Sequence, residues 1–174
     1  MNAHRRSSSA APTTGSARTV VTVARLLGKS IIARTGRSVG RVDDIVVRVD
    51  GGKESPPVTG IVAAVGGRRV YVPTWRIRSL ARGRVSLSTN AISSRGFALR
   101  SGEILVRAGI LGHRFVDRCT AELVLAVDAE LDNTGGEWML SRVVTCPRRR
   151  IGTHWRVHDR GRITRDWTRV EPSA

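Results

Sequence analysis

From Ser30 onward the hydrophobic positions fall in short β-branched runs separated by glycine and proline, with few helical repeats. Ile31-Ile32 precedes a turn at Gly36. Val39, Val42, Ile45, Val47 and Val49 then run through one extended segment. Asp50-Gly51-Gly52 is a turn signal, because glycine reaches positive φ without a Cβ clash. Val58 to Val65 is a second run, closed by Gly66-Gly67, and Val70-Tyr71-Val72 is a third. Pro73 has no N–H to give a ladder and ends that strand. Ile77 to Leu80 and Val85 to Leu87 supply a last turn and strand. Farther on, Ile104 to Leu111 is apolar enough to pack. Phe115-Val116, Leu123 to Leu131 and Trp138 to Val144 read as strands. Many short strands with Gly and Pro punctuation predict an all-β fold with minor α content.

The organisation follows from the same pattern. Residues 1–22 are rich in Ser, Thr, Ala and Arg and read as a disordered basic tail, with Val20 to Leu27 an extended lead-in or a short helical turn. A first β unit spans 23–90, a connection 91–102, and a shorter second unit 103–146. Residues 147–174 are Arg-rich without a core pattern and read as a linker or flexible tail.

A shift of 84 positions superimposes the two units. Leu27-Gly28 falls on Leu111-Gly112, Arg34 on Arg118, Asp44 on Asp128, and Gly51-Gly52 on Gly135-Gly136, which is 6 identities over positions 27–52. The apolar positions also agree, Ile31 with Phe115, Val39 with Leu123 and Val47 with Leu131. A duplicated β unit is the better reading. The second copy is too small to bury a comfortable core alone, so it is expected to pack on the first.

The residues that carry the repeat also carry a resemblance. Leu27-Gly28-Lys29-Ser30, Gly36, Val39-Gly40-Arg41-Val42-Asp43-Asp44, Thr59-Gly60-Ile61-Val62 and Tyr71-Val72-Pro73 resemble the PRC-barrel domain. The motif positions are Gly28, Gly36, Gly40, Asp44, Gly60 and Pro73, with Gly112 and Asp128 in the second copy. Asp44 is of a type that satisfies backbone donors at a bend. The pair of units, tandem and PRC-barrel-like, is similar to the segment preceding the intracellular domain of MgtE-type magnesium-transporter-like proteins with CBS domains. Ser101-Gly102-Glu103-Ile104-Leu105-Val106, Val127-Asp128, Gly135-Gly136-Glu137-Trp138 and Asp166-Trp167-Thr168-Arg169 carry that likeness. Cys119-Thr120 departs from it where a turn glycine is expected. The resemblance implies a non-enzymatic interaction or regulatory module without the transport domain. PRC-barrels also form half of RimM-type ribosome maturation factors, which gives the alternative, an RNA- or ribosome-binding protein.

Composition changes this picture in one respect. The 174 residues carry 30 Lys+Arg against 14 Asp+Glu, a net charge of +16. Such a charge favours anionic partners. Only Lys29 and Lys53 are lysine, however, and the abundance of Arg, Ala, Gly and Val points partly to GC-rich codons. The charge is also uneven: +10 over residues 26–100 and −3 over residues 101–146. No stretch approaches the ~20 apolar residues of a spanning helix. The N-terminus lacks the apolar core of a secretory signal. Cys119 and Cys146 fit free thiols in a reducing cytoplasm, the expected location, with the inner membrane face as a variant of it.

Candidate chemistry is sparse. Gly36-Arg37-Ser38-Val39-Gly40 matches the nucleophile-elbow spacing, but a β-branched run follows it where a helix is needed. Gly28-Lys29-Ser30 resembles the end of a P-loop, but Val23 stands where the first glycine belongs. His154 and His158 are spaced i, i+4, with only Cys146 as a nearby third ligand. His113 has no evident partner, and Asp43-Asp44 point to opposite faces of a strand. No catalytic residue, cofactor or metal site is therefore expected. Arg148-Arg149-Arg150, with Trp155 and Trp167 downstream, is a candidate anion-binding run. Trp75 and Trp138 are expected in the core. The expected partner is a protein, either membrane-associated or a second copy of the chain, with RNA as the alternative.

Overall fold

The computed structural model describes residues 19–50, 54–80, 83–92, 96–151, 154–157 and 161–173. In chain order the first half contains β1 (Thr19–Thr22), α1 (Val23–Leu26), β2 (Ser30–Ile32), β3 (Ser38–Arg48), β4 (Val58–Val65), β5 (Arg68–Pro73), a 3-10 turn (Thr74–Arg76), β6 (Ile77–Ser79) and β7 (Val85–Leu87). The second half contains β8 (Glu103–Leu105), α2 (Val106–Gly109), β9 (Arg114–Asp117), β10 (Leu123–Thr134), β11 (Glu137–Ile151), β12 (His154–Val157), β13 (Ile163–Asp166), a 3-10 turn (Trp167–Arg169) and β14 (Val170–Pro172). The fold is all-β with minor α content, as the alternation predicts. The β-branched runs occupy the strands, where stiff branched side chains pack well on a pleated surface.

The strands form two sheets. One has the order β5-β4-β3-β2-β7-β6, with β8 added on β3; the other has the order β12-β11-β10-β9-β14, with β1 added on β10 and β13 on β11. The lead-in strands are therefore exchanged. β1, from the first half, pairs with β10 through Thr22↔Glu130 and its neighbours. β8, from the second half, pairs with β3 through Val46↔Leu105 and its neighbours. Shifting β1 by 84 positions brings it onto β8, so the exchange is reciprocal and follows the repeat. The long strands repeat even their irregularities: β3–β4 shifts register between Val42 and Asp44 and between Val46 and Val47, and β10–β11 between Ala126 and Asp128 and between Glu130 and Leu131.

One hydrophobic cluster joins the halves. Val23, Leu26, Ile45, Ile61, Val106, Ile110, Phe115, Leu131 and Leu140 belong to it and are fully or almost fully buried. Neither half keeps its own lead-in helix, so each completes the other's core. Loop contacts strengthen the junction, with an antiparallel bridge Pro57↔Met139 and a hydrogen bond from Leu140 N–H to Pro56 O at 2.8 Å.

Two boundaries differ from the sequence-based reading. Thr19–Thr22, read as the end of a disordered tail, is strand β1; residues 1–18 lie outside the described residues. Residues 147–174 are not simply a linker or tail. β11 continues to Ile151, β13 pairs with it, and β14 pairs with β9. Arginine masked the alternation: Arg165 is 5% exposed and ion-paired, so an internal salt bridge stands where an apolar residue was sought. The Gly51-Gly52 turn lies outside the described residues, whereas Gly135-Gly136 closes the β10–β11 hairpin with both φ positive.

Candidate functional site: an arginine-rimmed cleft at Trp75

The repeat motif residues build the scaffold first. Gly28 and Gly112 hold equivalent positions with φ of +73° and +80°, and their N–H groups donate to Val42 O and Ala126 O, each at 2.8 Å. Asp44 is 1% exposed and accepts three backbone hydrogen bonds, from Ile45 and Arg107 at 2.7 Å and from Ala108 at 3.1 Å. Asp128 does the reciprocal task, accepting from Ala24 at 2.9 Å and Ala129 at 2.8 Å. Each aspartate thus ties the other half's short helix to its own sheet. Burial raises the Asp44 pKa above 3.8, opposed by the hydrogen bonds from Arg107, Ile45 and Ala108; the neighbouring Asp43 charge adds to the rise.

Gly36 sits in the turn before β3, and Gly40 lies within β3 facing Ala64 and Val65. In the second copy the turn glycine is replaced, and Ala121 takes a φ of +56°. Gly60 lies beneath the Tyr71 ring, where a Cβ would come within 2.6 Å of Cε2 and within 2.5 Å of Val72 O. That close approach lets the Tyr71 hydroxyl donate to Thr59 O at 2.7 Å. Pro73 ends β5 and turns the chain into the 3-10 turn that carries Trp75.

At this end of the first sheet lies an open cleft of about 830 Å³. Pro57, Val58, Ala98 and Leu99 give it apolar lining, and Arg48, Arg76 and Arg100 give it charge; no Asp or Glu lines it among the described residues. Trp75 is 73% exposed at its rim, contrary to the core position expected for it. Trp138, by contrast, packs partly buried against the core, and Trp167 sits edge-on to Phe115 at 6.2 Å. The signal that separates Trp75 from Trp138 is its place in the 3-10 turn after Pro73, off both sheets, where it borders a hollow shared with Trp138.

Guanidinium groups cover the aromatic faces around this cleft. Arg76 lies 4.7 Å from the Trp75 ring centre, Arg100 lies 4.7 Å from that of Tyr71, and Arg69 lies 5.4 Å from that of Phe97. Beneath them is Glu103, whose side chain is 1% exposed. It accepts hydrogen bonds from Thr59 Oγ1 at 3.0 Å and Arg100 N–H at 3.1 Å, and it attracts the Arg48 and Arg100 guanidinium groups at 3.8 and 3.7 Å. Glu103 arrives on β8, from the second half of the chain, so the strand exchange brings in the buried acid that holds the lining residues Thr59 and Arg100. Its role was not evident in the sequence, because nothing there places residue 103 beside residue 59.

A second charged cluster is internal. Asp117 accepts from Arg165 Nε and from Cys119 N–H at 2.9 Å, with Arg169 at 3.6 Å; Arg165 also reaches Thr145 Oγ1. The Arg165 hydrogen bond, aided by Cys119 N–H and by the charges of Arg169 and Arg165 against the opposing effect of burial, lowers the Asp117 pKa from 3.8 to about 2. The expected anion-binding run, Arg148 to Arg150, lies in the backbone of β11 opposite β12, in the register Arg149↔Arg156. Its side chains and that of Trp155 lie outside the described residues, as does His158. His113 Nε2 is 3.0 Å from Ala108 O. No cluster of three His, Cys, Asp or Glu suited to a metal occurs among the described residues. None of their helices is long and apolar enough to cross a membrane.

Residues 18–88 match the family model of the PRC-barrel domain. The matched span begins at the start of β1 and ends just past β7, so it includes the lead-in that packs on the second sheet and excludes β8. The Trp75 turn and β5 lie inside it, whereas Glu103 and Arg100 lie outside. No curated protein matches the chain in a sequence comparison.

Proposed function

We propose that the chain is a non-enzymatic, cytoplasmic interaction module of PRC-barrel type, related to the N-terminal part of MgtE-type magnesium-transporter-like proteins, and that it docks a partner protein at the Trp75 cleft. The exposure of Trp75 on an otherwise well-packed unit carries this reading. Tryptophan and arginine dominate the energetics of protein interfaces, and Trp75 shares its cleft with the exposed Leu99, so the apolar surface there is a patch and not a single scattered residue. The PRC-barrel match and the tandem repeat support the relationship to the transporter-like proteins. The motif residues support a scaffolding role, since Asp44, Asp128 and Gly60 are each engaged with the backbone or the core.

RNA binding of the RimM type is the competing reading, and the net charge of +16 favours it. Titrating the intact protein with a defined RNA and a scrambled RNA across a salt series separates the two. The interaction-module reading expects weak, sequence-blind binding that vanishes by about 150 mM salt, because counterion release alone drives it. Preference for a defined RNA at that salt concentration would sink the reading.

A further inference from the structure

The chemistry of the cleft narrows the class of partner. We infer that it receives an extended acidic segment of a partner protein, with an apolar side chain seated between Trp75 and Leu99 and flanking carboxylates on Arg76 and Arg100. This inference rests on the interaction-module reading and adds the chemistry of the bound segment to it.

The positive charge is local to the cleft. Three guanidinium groups line the cleft, and no carboxylate lines it among the described residues. The acids paired with its lining arginines are Glu103, with its side chain 1% exposed and already hydrogen-bonded, and Asp50, 3.9 Å from Arg48; Glu137 lines the adjoining hollow on which Trp75 also borders. Glu103 and Asp50 are shared mainly by Arg48 and Arg100. Arg76 makes no ion pair with a carboxylate among the described residues; its guanidinium stacks on Trp75 and donates to Ala91 O at 3.4 Å. Stacking on a ring holds a guanidinium by its face and leaves N–H edges for a planar carboxylate. The exposed apolar surface lies in the same place. Trp75 and Leu99 are 73% and 47% exposed beside Pro57 and Val58, so an aliphatic or aromatic side chain placed there removes apolar surface from water.

The same geometry disfavours a nucleic acid. A single strand needs open aromatic faces on which bases stack. Here Trp75, Tyr71 and Phe97 each carry an intramolecular guanidinium, and the Tyr71 hydroxyl is tied to Thr59 O. The second copy shows what the turn looks like without this surface. Its tryptophan comes one position earlier, as Trp167 packed on Phe115, and its arginine, Arg169, faces Asp117.

The test is selection of random 12-residue peptides, displayed on phage, against the full-length protein, with depletion on the Trp75→Ala variant. Trp75 is exposed, so that variant keeps its fold, which circular dichroism verifies. Expected are peptides in which Asp or Glu lies within three residues of an apolar side chain. Their affinity, read by fluorescence anisotropy of the labelled peptide, falls at least ~10-fold in Trp75→Ala and roughly 3- to 10-fold in Arg76→Gln or Arg100→Gln. Replacing the peptide's Asp and Glu by Asn and Gln has a comparable effect. Selection of neutral or basic peptides that still need Trp75 would overturn the acidic partner and leave the interaction module standing. Failure to enrich any Trp75-dependent peptide, or binding of oligouridylate at about 150 mM salt that Trp75→Ala abolishes, would overturn both.

Discussion

Asp44 and Asp128 occupy equivalent positions but differ in burial, and their removal should differ in cost. Asp44→Ala strands three N–H groups, the buried one of Ile45 and the part-buried ones of Arg107 and Ala108, which converge on a carboxylate that is itself 1% exposed. A hydrogen bond to a charged acceptor contributes roughly 1.5–3 kcal/mol, but the three share one carboxylate and are not additive. Removing the carboxylate also removes a burial cost, evident in its raised pKa. The net loss expected is about 3 kcal/mol. Asp128→Ala strands two N–H groups, of Ala24 and Ala129, at a half-buried site that water reaches, for an expected loss of about 1.5 kcal/mol. Asp44→Asn keeps the Oδ1 acceptor for Ile45 and Arg107 and loses the Oδ2 acceptor of Ala108, so about 1 kcal/mol is expected. A pKa raised on folding stabilises the folded state below the unfolded value, and that share disappears as pH rises through the folded value. The gap between wild type and Asp44→Asn should therefore widen on acidification. Urea unfolding followed by circular dichroism measures all three. The reasoning fails if Asp44→Ala loses less than Asp128→Ala, or if Asn is no better than Ala at position 44.

Gly60→Ala should cost about 1–3 kcal/mol, because its Cβ meets Val72 O and the Tyr71 ring; unfolding by urea reads it, and an unchanged midpoint would contradict the close approach. The Asp117 pKa is lowered to about 2, so its contribution is full above 3.8 and lost as pH falls toward 2. Asp117→Asn should thus flatten the dependence of melting temperature on pH within that window, and a parallel curve for wild type and variant would refute it. Truncation after Gly161 removes β13 and β14, which cover Asp117 and Phe115. The truncated chain is expected to lose cooperative thermal unfolding, whereas a dispensable tail would leave the transition intact.

Strand existence was legible where alternation is carried by Val and Ile. β2 to β5, β7, β9 and β10 lie on the expected runs, because branched residues report burial directly. The motif aspartate was legible as a backbone acceptor, but not its donors, since Arg107 and Ala108 lie on the other half of the chain. β13 and β14 were not legible, because Ile163, Arg165 and Val170 are interrupted by charges that pair internally. The cleft escaped for a related reason. Tryptophan in a β-rich chain is expected inside, and only the geometry of a single turn puts Trp75 outside.

That turn also explains why duplication does not imply two binding sites. The first copy reads Thr74-Trp75-Arg76-Ile77 and the second Trp167-Thr168-Arg169-Val170. Moving tryptophan by one position on a 3-10 turn rotates it by about a third of a turn, from facing outward to lying on Phe115. The arginine keeps its position but changes its partner. In the second copy Arg169 neutralises Asp117, and the position 84 residues before Asp117 is Ala33, so Arg76 has no such carboxylate and stacks on Trp75 instead. At this turn the second copy satisfies its arginine within the fold, while the first leaves it beside an exposed tryptophan. The division of labour that follows is asymmetric. The second copy supplies Glu103, which holds the lining residues Thr59 and Arg100, and the first supplies the surface that a partner meets.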